Sequence, residues 1–146
     1  MDKRQGLKQE LRKRGYKLTR QRKTILEVLS SSGNIPMTAR DIFERVTRLS
    51  PGMNFSTVYR NIEILLQENI ITRVELHGDA AYYELSEDGK HHHHLVCKGC
   101  GNIQAIEYCP LNIPFEKEGF IPVDHRFEVY GYCRNCVDEN KQIGLG

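Results

Sequence analysis

The segment His91-His92-His93-His94-Leu95-Val96-Cys97-Lys98-Gly99-Cys100 places four imidazoles and two thiols within ten residues. A second C-x-x-C pair, Cys133 and Cys136, follows after 32 residues. Two-residue spacing lets both thiolates of a pair point at one ion, and two pairs complete the tetrahedral sulfur shell of structural zinc. Such an ion contributes roughly 10 to 16 kcal/mol to folding. We therefore predict a zinc site that clamps the ends of a small α/β lobe, formed by Cys97, Cys100, Cys133 and Cys136. A redox pair or a disulfide framework is the alternative.

The histidine run offers ligands to two sides of the chain. Alternation in an extended segment sends His92 and His94 to one side and His91 and His93 to the other. Imidazole suits zinc, iron, nickel or copper. One run can thus supply ligands to two different metal sites. The alternatives are that the histidines are an affinity tag or a solvated loop that forms no metal site.

Two residues elsewhere are candidates to complete these sites. Glu84 ends a predicted strand just before a polar stretch, where it can join His92 and His94 or remain a surface residue. His125 lies in an apolar alternating segment near Cys133. It is either a core residue or a ligand beside His91 and His93.

Composition and charge limit the class of protein. With 146 residues, 39% hydrophobic and 27% charged, the chain is too short for a large multi-domain enzyme. It carries no apolar run long enough for a membrane span and no signal-peptide h-region after Met1, so we expect a soluble, cytoplasmic protein without a membrane role. The paired cysteines are then metal ligands more often than disulfides.

Charge divides the chain in two. Residues 1–80 carry 15 Lys and Arg against 9 Asp and Glu, while residues 81–146 carry 6 against 10. Ten of the basic residues stand among the first 23. A basic front half is typical of contact with a polyanion, here nucleic acid, unless it is only a solvated helix face.

Helical apolar periods followed by a hairpin pattern fill the first half. We predict a short helix ending near Gly15 and three further helices, whose N-caps are Thr19, Thr38 and Ser56. Strands at 71–76 and 80–85 follow, joined by the turn His77-Gly78-Asp79. Helices followed by a β-hairpin predict a winged helix-turn-helix, with the helix from Ser56 as recognition helix.

A polar stretch at 86–90 predicts a hinge before the second lobe. In that lobe we expect short strands at Leu95-Val96 and 103–106 and a short helix within 110–119. Residues 123–130 alternate as a half-buried strand does, and the end of the chain reads as a frayed tail.

The polar face of the recognition helix carries Tyr59 and Arg60, which can reach base edges. Lys17, Arg20 and Arg22, near the second helix, are candidates for phosphate or minor-groove contact. All of them are otherwise ordinary surface residues.

Four segments together resemble the ferric uptake regulator superfamily of bacterial metal-sensing repressors. They are Gly15-Tyr16-Lys17-Leu18-Thr19-Arg20-Gln21-Arg22, Phe55-Ser56-Thr57-Val58-Tyr59-Arg60-Asn61, the histidine-cysteine block up to Gly101, and His125-Arg126-Phe127-Glu128-Val129-Tyr130-Gly131. The resemblance implies an α+β homodimer with a DNA-binding winged helix at 1–85, a hinge at 86–90, a dimerisation and metal-binding lobe at 91–137 and a tail at 138–146. It adds Ser56 and Thr57 to the expected DNA-binding residues.

Within the superfamily, Ile106-Glu107-Tyr108-Cys109-Pro110 and the unbroken histidine run look most like zinc uptake regulators. Ala105 stands where iron and peroxide sensors usually carry an acidic residue. The resemblance implies a sensor site with Glu84, His92 and His94 and an auxiliary site with His91, His93 and His125. Members carry further ligands at positions that are here Pro36, Ser86 and Asn112.

The sequence thus predicts a metal-dependent repressor of metal-uptake genes that binds double-stranded operator DNA as a homodimer and is not an enzyme. Its metals are a structural zinc and a second divalent ion as corepressor, zinc in preference to iron(II) or manganese(II). An iron- or peroxide-sensing repressor is the runner-up. A zinc-dependent hydrolase is the alternative from another class, although the sequence offers it no obvious general base.

Overall fold

The chain divides between Ser86 and Glu87 into two units, each with its own sheet. The structure is a computed structural model, which describes residues 3–32, 35–76, 78–86, 92–109, 111, 113–123 and 125–139. The predicted hinge, apart from Ser86, lies outside the described residues, as do His77 of the predicted turn and residues 140–146 of the predicted tail.

Helices dominate the first unit, and a small antiparallel sheet completes it. In chain order the elements are α1 (Lys3–Lys13), α2 (Arg20–Ser31), β1 (Met37–Thr38), α3 (Ala39–Leu49), α4 (Phe55–Gln67), β2 (Ile71–Glu75) and β3 (Ala81–Leu85). The strand order is β1-β3-β2, so the hairpin β2-β3 gains a third, two-residue strand. The four helices and the hairpin are confirmed, whereas β1 was not predicted because two residues carry no period.

Side-chain caps begin α2, α3 and α4. Thr19 accepts a hydrogen bond from the backbone N–H of Arg22, and Thr38 forms a capping box with Asp41, as predicted. The prediction for α4 was wrong by two positions. Asn54 is its N-cap and accepts from the N–H of Thr57 at 2.8 Å, so Ser56 lies inside the first turn. Asn caps a helix as well as Ser does, so residue type alone does not favour Ser56 over Asn54.

The core of the first unit fixes which face of α4 is exposed. Its fully buried side chains come from all four helices and include Leu11, Ile25, Leu26, Leu29, Ile42, Val46, Val58, Ile62 and Leu65. The last three lie on one side of α4, which packs against α2 and α3. The opposite side of α4 therefore lies at the surface.

The second unit is a three-stranded sheet with short helices. Its elements are β4 (His93–Cys97), β5 (Ile103–Ile106), a 3-10 turn (Phe115–Glu118), β6 (Glu128–Gly131) and α5 (Arg134–Glu139). The order is β5-β4-β6, with β4 antiparallel to β5 and parallel to β6. The predicted strands around the first cysteine pair are confirmed, and the short helix expected within 110–119 is the 3-10 turn.

Two predictions for the end of the chain were wrong. The alternating strand expected over 123–130 forms only as β6, because the segment is paired with β4 only from Glu128 onward. On the apolar side of the alternation, Val123 is 100% exposed, whereas Phe127 is half-buried against His93. The tail expected from 138 begins inside α5.

Within the described part of the chain, no helix has the length and apolar character to cross a membrane.

Candidate metal centres and nucleic-acid interface

Four thiols converge where β4 ends and α5 begins. Cys97 ends β4, Cys100 lies in the turn that follows, Cys133 precedes α5 and Cys136 lies within it. The parallel pairing of β4 with β6 sets Cys97 opposite Gly131, which draws the second pair towards the first. The four sulfur atoms all lie within 4.8 Å of one another.

The spacing of these sulfurs fits zinc. Sγ of Cys100 and Sγ of Cys133 are 3.8 Å apart. Thiolates on a tetrahedral zinc, at Zn–S distances near 2.3 Å, are separated by about 3.8 Å. The donor set and its spacing thus suit the structural zinc expected from the sequence.

Electrostatics within the cluster also point to a cation. Backbone N–H groups, first that of Cys100 and then that of Cys133, lower the pKa of the Cys97 thiol to about 6. The neighbouring thiols, Cys133 foremost, raise the pKa of Cys136 to about 12. A divalent cation would stabilise all four thiolates together, which the protein alone does not.

The histidine run is divided between two faces of β4. The rings of His92 and His94 have centroids 4.9 Å apart, edge to face. The ring of His93, which is buried, lies 5.1 Å from that of His125. This is the alternation predicted from the sequence, while His91 lies outside the described residues.

Cys109 joins His93 and His125, a contact that sequence reasoning missed. Its Sγ lies 3.2 Å from Nε2 of His125. Candidate ligand atoms of all three residues lie within 4.8 Å of one another. The only sequence signal was a fifth cysteine outside the two pairs, three residues beyond the end of β5.

Glu84 is a buried residue of the first unit. It lies on β3 opposite Thr72 of β2. His92 and His94 belong to the second unit, so a shared sensor site with Glu84 stays a prediction.

The exposed face of α4 combines aromatic and charged side chains. Phe55 stacks on Tyr59 with ring centroids 6.1 Å apart, and Phe43 of α3 contacts Phe55 edge-on at 5.5 Å. A shallow groove at this face is lined by Phe55, Ser56, Tyr59, Arg60 and Glu63. All five are exposed, which is what a helix needs in order to enter a groove of DNA.

The basic residues before and within α2 have different surroundings. Lys17 and Arg20 are exposed, whereas Arg22 is partly buried. Its Nε donates to Oδ1 of Asn61 at 3.0 Å, and its Nη1 donates to the carbonyl of Lys17 at 2.6 Å. The guanidinium also lies 5.4 Å from the ring centroid of Tyr16. Arg22 therefore ties α2 to α4, and its contact with DNA stays a prediction.

Known proteins resemble the chain over nearly its whole length. The model of the Ferric uptake regulator family matches residues 13–130. The Ferric uptake regulation protein of Synechococcus elongatus is 31% identical over 141 residues, covering 90% of this chain and 92% of the relative. The Peroxide-responsive repressor PerR of Staphylococcus aureus is 29% identical over 133 residues, covering 88% of each.

A solved structure agrees with the fold. The Vibrio cholerae ferric uptake regulator (Fur) superposes with a TM-score of 0.70 at 27% identity, covering 87% of this chain and 99% of that one. The predicted α+β fold class is thereby confirmed. Proteins of this kind are metal-responsive transcriptional regulators, so the hydrolase alternative was wrong. Since the family model matches most of its length, the chain belongs to the ferric uptake regulator family.

Proposed function

We propose that this chain is a zinc-responsive repressor of metal-uptake genes, with zinc as its corepressor. The observation that carries the proposal is the alternation of the histidines at the start of β4. His92 and His94 lie on one face, and His93 lies on the other. The same chain exposes an aromatic and charged face on α4. A metal-binding strand and a DNA-reading helix are the two parts that such a repressor requires.

The proposed sensor ligands are Glu84, His92 and His94. In the sequence, Glu84 precedes residues 86–90 and both histidines follow them. An ion bound by all three would restrain this segment and with it the orientation of the DNA-binding unit. Metal binding would then favour the arrangement in which the dimer fits its operator.

Zinc is favoured by the chemistry of the donors. Two of the three proposed sensor ligands, His92 and His94, are imidazoles, which suit zinc better than manganese. The two ligand clusters confined to the second unit likewise offer only imidazole and thiol groups. In the β4-β5 ladder, Ala105 lies opposite His94, at the position where iron and peroxide sensors of the superfamily carry an acidic residue. The runner-up, an iron- or peroxide-sensing repressor, is supported by the names of the relatives.

We further propose that the repressor acts in the cytoplasm as a homodimer on a palindromic operator. Apolar side chains of the second unit are exposed in the single chain, among them Ile121, Val123 and Val129. A second copy would cover such a surface and set two α4 helices one helical turn of DNA apart. The proposed DNA-contacting residues are Lys17, Arg20, Arg22, Ser56, Thr57, Tyr59 and Arg60.

The variant His92→Ala tests the sensor assignment. Operator DNA is first selected from a random duplex pool with zinc-loaded wild type, and its affinity is then measured with and without added zinc. We expect a gain of about 5- to 150-fold for wild type, as in typical allosteric coupling. His92→Ala should keep its structural zinc and lose the gain.

Lys98→Ala is the control, because Lys98 is an exposed neighbour in the turn after β4 and belongs to neither histidine pair. It should respond to zinc as wild type does. A zinc response in His92→Ala equal to that of wild type would contradict the sensor assignment.

A further inference from the structure

A thiol occupies the second histidine cluster of the second unit, beside His93 and His125. Antiparallel pairing of β4 with β5 sets Ile106 opposite His93, and Cys109 follows three residues later. The chain thus returns to the face of β4 that carries His93. The auxiliary site expected from the sequence contained only histidines, one of which, His91, lies outside the described residues.

The geometry is close to that of a metal site. Sγ of Cys109 lies 3.2 Å from Nε2 of His125, and ligand atoms of His93, Cys109 and His125 are all within 4.8 Å of one another. Nitrogen and sulfur ligands on one tetrahedral zinc are separated by about 3.3 to 3.6 Å. The contact of Cys109 with His125 is close to that spacing, and a ligand atom of His93 lies within 4.8 Å of both.

Burial around His93 and Cys109 holds these two side chains in place. His93 is 2% exposed, and its ring contacts Phe127 edge-on with centroids 5.5 Å apart. Cys109 is half-buried, which leaves a path for an ion. A packed imidazole beside a reachable thiol is a preorganised pair of donors.

We propose that Cys109 is a ligand of the auxiliary site and makes it selective for zinc over iron(II) and manganese(II). A thiolate is a soft donor that favours zinc, whereas manganese favours carboxylate and water. The proposal deepens the auxiliary site of the proposed function, but its test needs neither DNA nor an intact His92 and His94 pair.

Cobalt(II) is the probe, because a bound thiolate gives it a charge-transfer band in the near ultraviolet. Wild type holding one zinc per chain in the four-cysteine site is titrated with cobalt anaerobically, and retention of that zinc is checked by elemental analysis. We expect the band in wild type and in His92→Ala, and its loss in Cys109→Ser. Zinc should bleach the band, while manganese(II) should not.

Affinity and alkylation provide independent readouts. Cys109→Ser should weaken zinc binding at this site by at least about tenfold, since even changes to groups behind a metal ligand cost 10- to 100-fold. Cys109→Asp should narrow the preference of this site for zinc over manganese(II), because a carboxylate suits manganese better than a thiolate does. In wild type, zinc but not manganese should protect Cys109 from iodoacetamide, as mapped by mass spectrometry.

The proposal is overturned if Cys109→Ser keeps the cobalt band with its structural zinc retained, or if zinc leaves the alkylation rate of Cys109 unchanged. A wild type without the band would show that the Cys109 and His125 contact is only a thiol–imidazole hydrogen bond.

Discussion

Gly99 lies against the four-cysteine cluster, where a side chain has no room. A Cβ at this position would stand 2.8 Å from Sγ of Cys136 and 3.0 Å from its Cβ. Real Cβ atoms essentially never approach this closely, so Cys136 or α5 would have to move. The C-x-x-C spacing predicts which sulfurs bind the ion. It does not predict that position 99 must be glycine, because the side chain that fills the space there is Cys136 of the second C-x-x-C pair.

Gly99→Ala should therefore weaken structural zinc binding by at least about tenfold and destabilise the second unit by about 1 to 3 kcal/mol, as overpacking does. Zinc affinity is measured by competition with a chromophoric chelator, and stability by thermal unfolding. Gly131→Ala is the matched control, because a Cβ there meets no atom of the described residues within 4 Å. Equal zinc affinities for the two variants would contradict this role of Gly99.

The contact of Cys109 with His93 and His125 could not be predicted from the sequence. No spacing motif links Cys109 to His93 or His125, since the three residues meet only through the pairing of β4 with β5 and the return of the chain at His125. A tertiary contact of this kind has no local signal in a single sequence.

At the scale of elements, the C-terminal ends of α1 and α4 are joined through Glu68. Its carboxylate accepts from the hydroxyl of Tyr16 at 2.7 Å and from Nη1 of Arg14 at 3.1 Å. Nη1 of Arg14 also donates to the backbone carbonyl of Glu68, and Nε of Arg14 donates to Glu10 within α1. These bonds hold the end of α1 against the end of α4.

Glu68→Gln tests that junction through pH. The hydrogen bond from Tyr16, and then that from Arg14, lower the pKa of Glu68 below its ordinary value. A lowered pKa stabilises the fold above the unfolded-state pKa, near 4.3, and this stabilisation is lost as pH falls through the folded-state value. Wild type should thus unfold at higher urea concentration than the variant at pH 7, and the two should converge in acid.

The exposed Glu63 of α4 offers a matched control, and Glu63→Gln should change stability by less than about 0.5 kcal/mol. A difference between wild type and Glu68→Gln that stays constant from pH 7 into acid would contradict the carboxylate's role.

Local signals predicted most elements, and tertiary pairing explains the rest. Thr19 and Thr38 cap helices as their residue types indicate, because capping is a contact over three residues. The strand predicted over 123–130 was too long. Alternation shows which side chains are apolar, but a strand also needs a hydrogen-bonded partner. The segment pairs with β4 only from Glu128 onward, with one further hydrogen bond from the N–H of His94 to the carbonyl of Phe127.

At the scale of the molecule, the two units differ in what stabilises them. The first buries apolar side chains from four helices, whereas the buried hydrophobic side chains among the described residues of the second are Val96, Cys97 and Ile103. A core this small seldom suffices alone, so we propose that a zinc ion bound by the four cysteines stabilises the fold of the second unit. Charge asymmetry predicts a basic first unit, and the cysteine spacing predicts a metal site in the second. Neither pattern identifies the sensed metal.

Cys136→Ser should accordingly lose zinc and unfold the second unit selectively. Loss of a contribution on the order of 10 kcal/mol exceeds the stability of a small domain. Hydrogen exchange followed by mass spectrometry should show lost protection in β4, β5 and β6, with α2 and α4 still protected. The control variant Cys109→Ser should keep hydrogen-exchange protection in both units. Full protection of β4 in Cys136→Ser would refute a structural role for the ion.

The role of zinc as corepressor is best decided by the operator affinity of wild type, measured in anaerobic solutions that buffer free zinc, iron(II) or manganese(II). We expect zinc to tighten operator binding by about 5- to 150-fold, at a free concentration far below that required of the other two ions. Operator DNA should tighten zinc binding by the same factor. Activation by iron(II) or manganese(II), with no response to zinc at the same free concentration, would contradict this role of zinc and assign the protein to the iron- or peroxide-sensing branch.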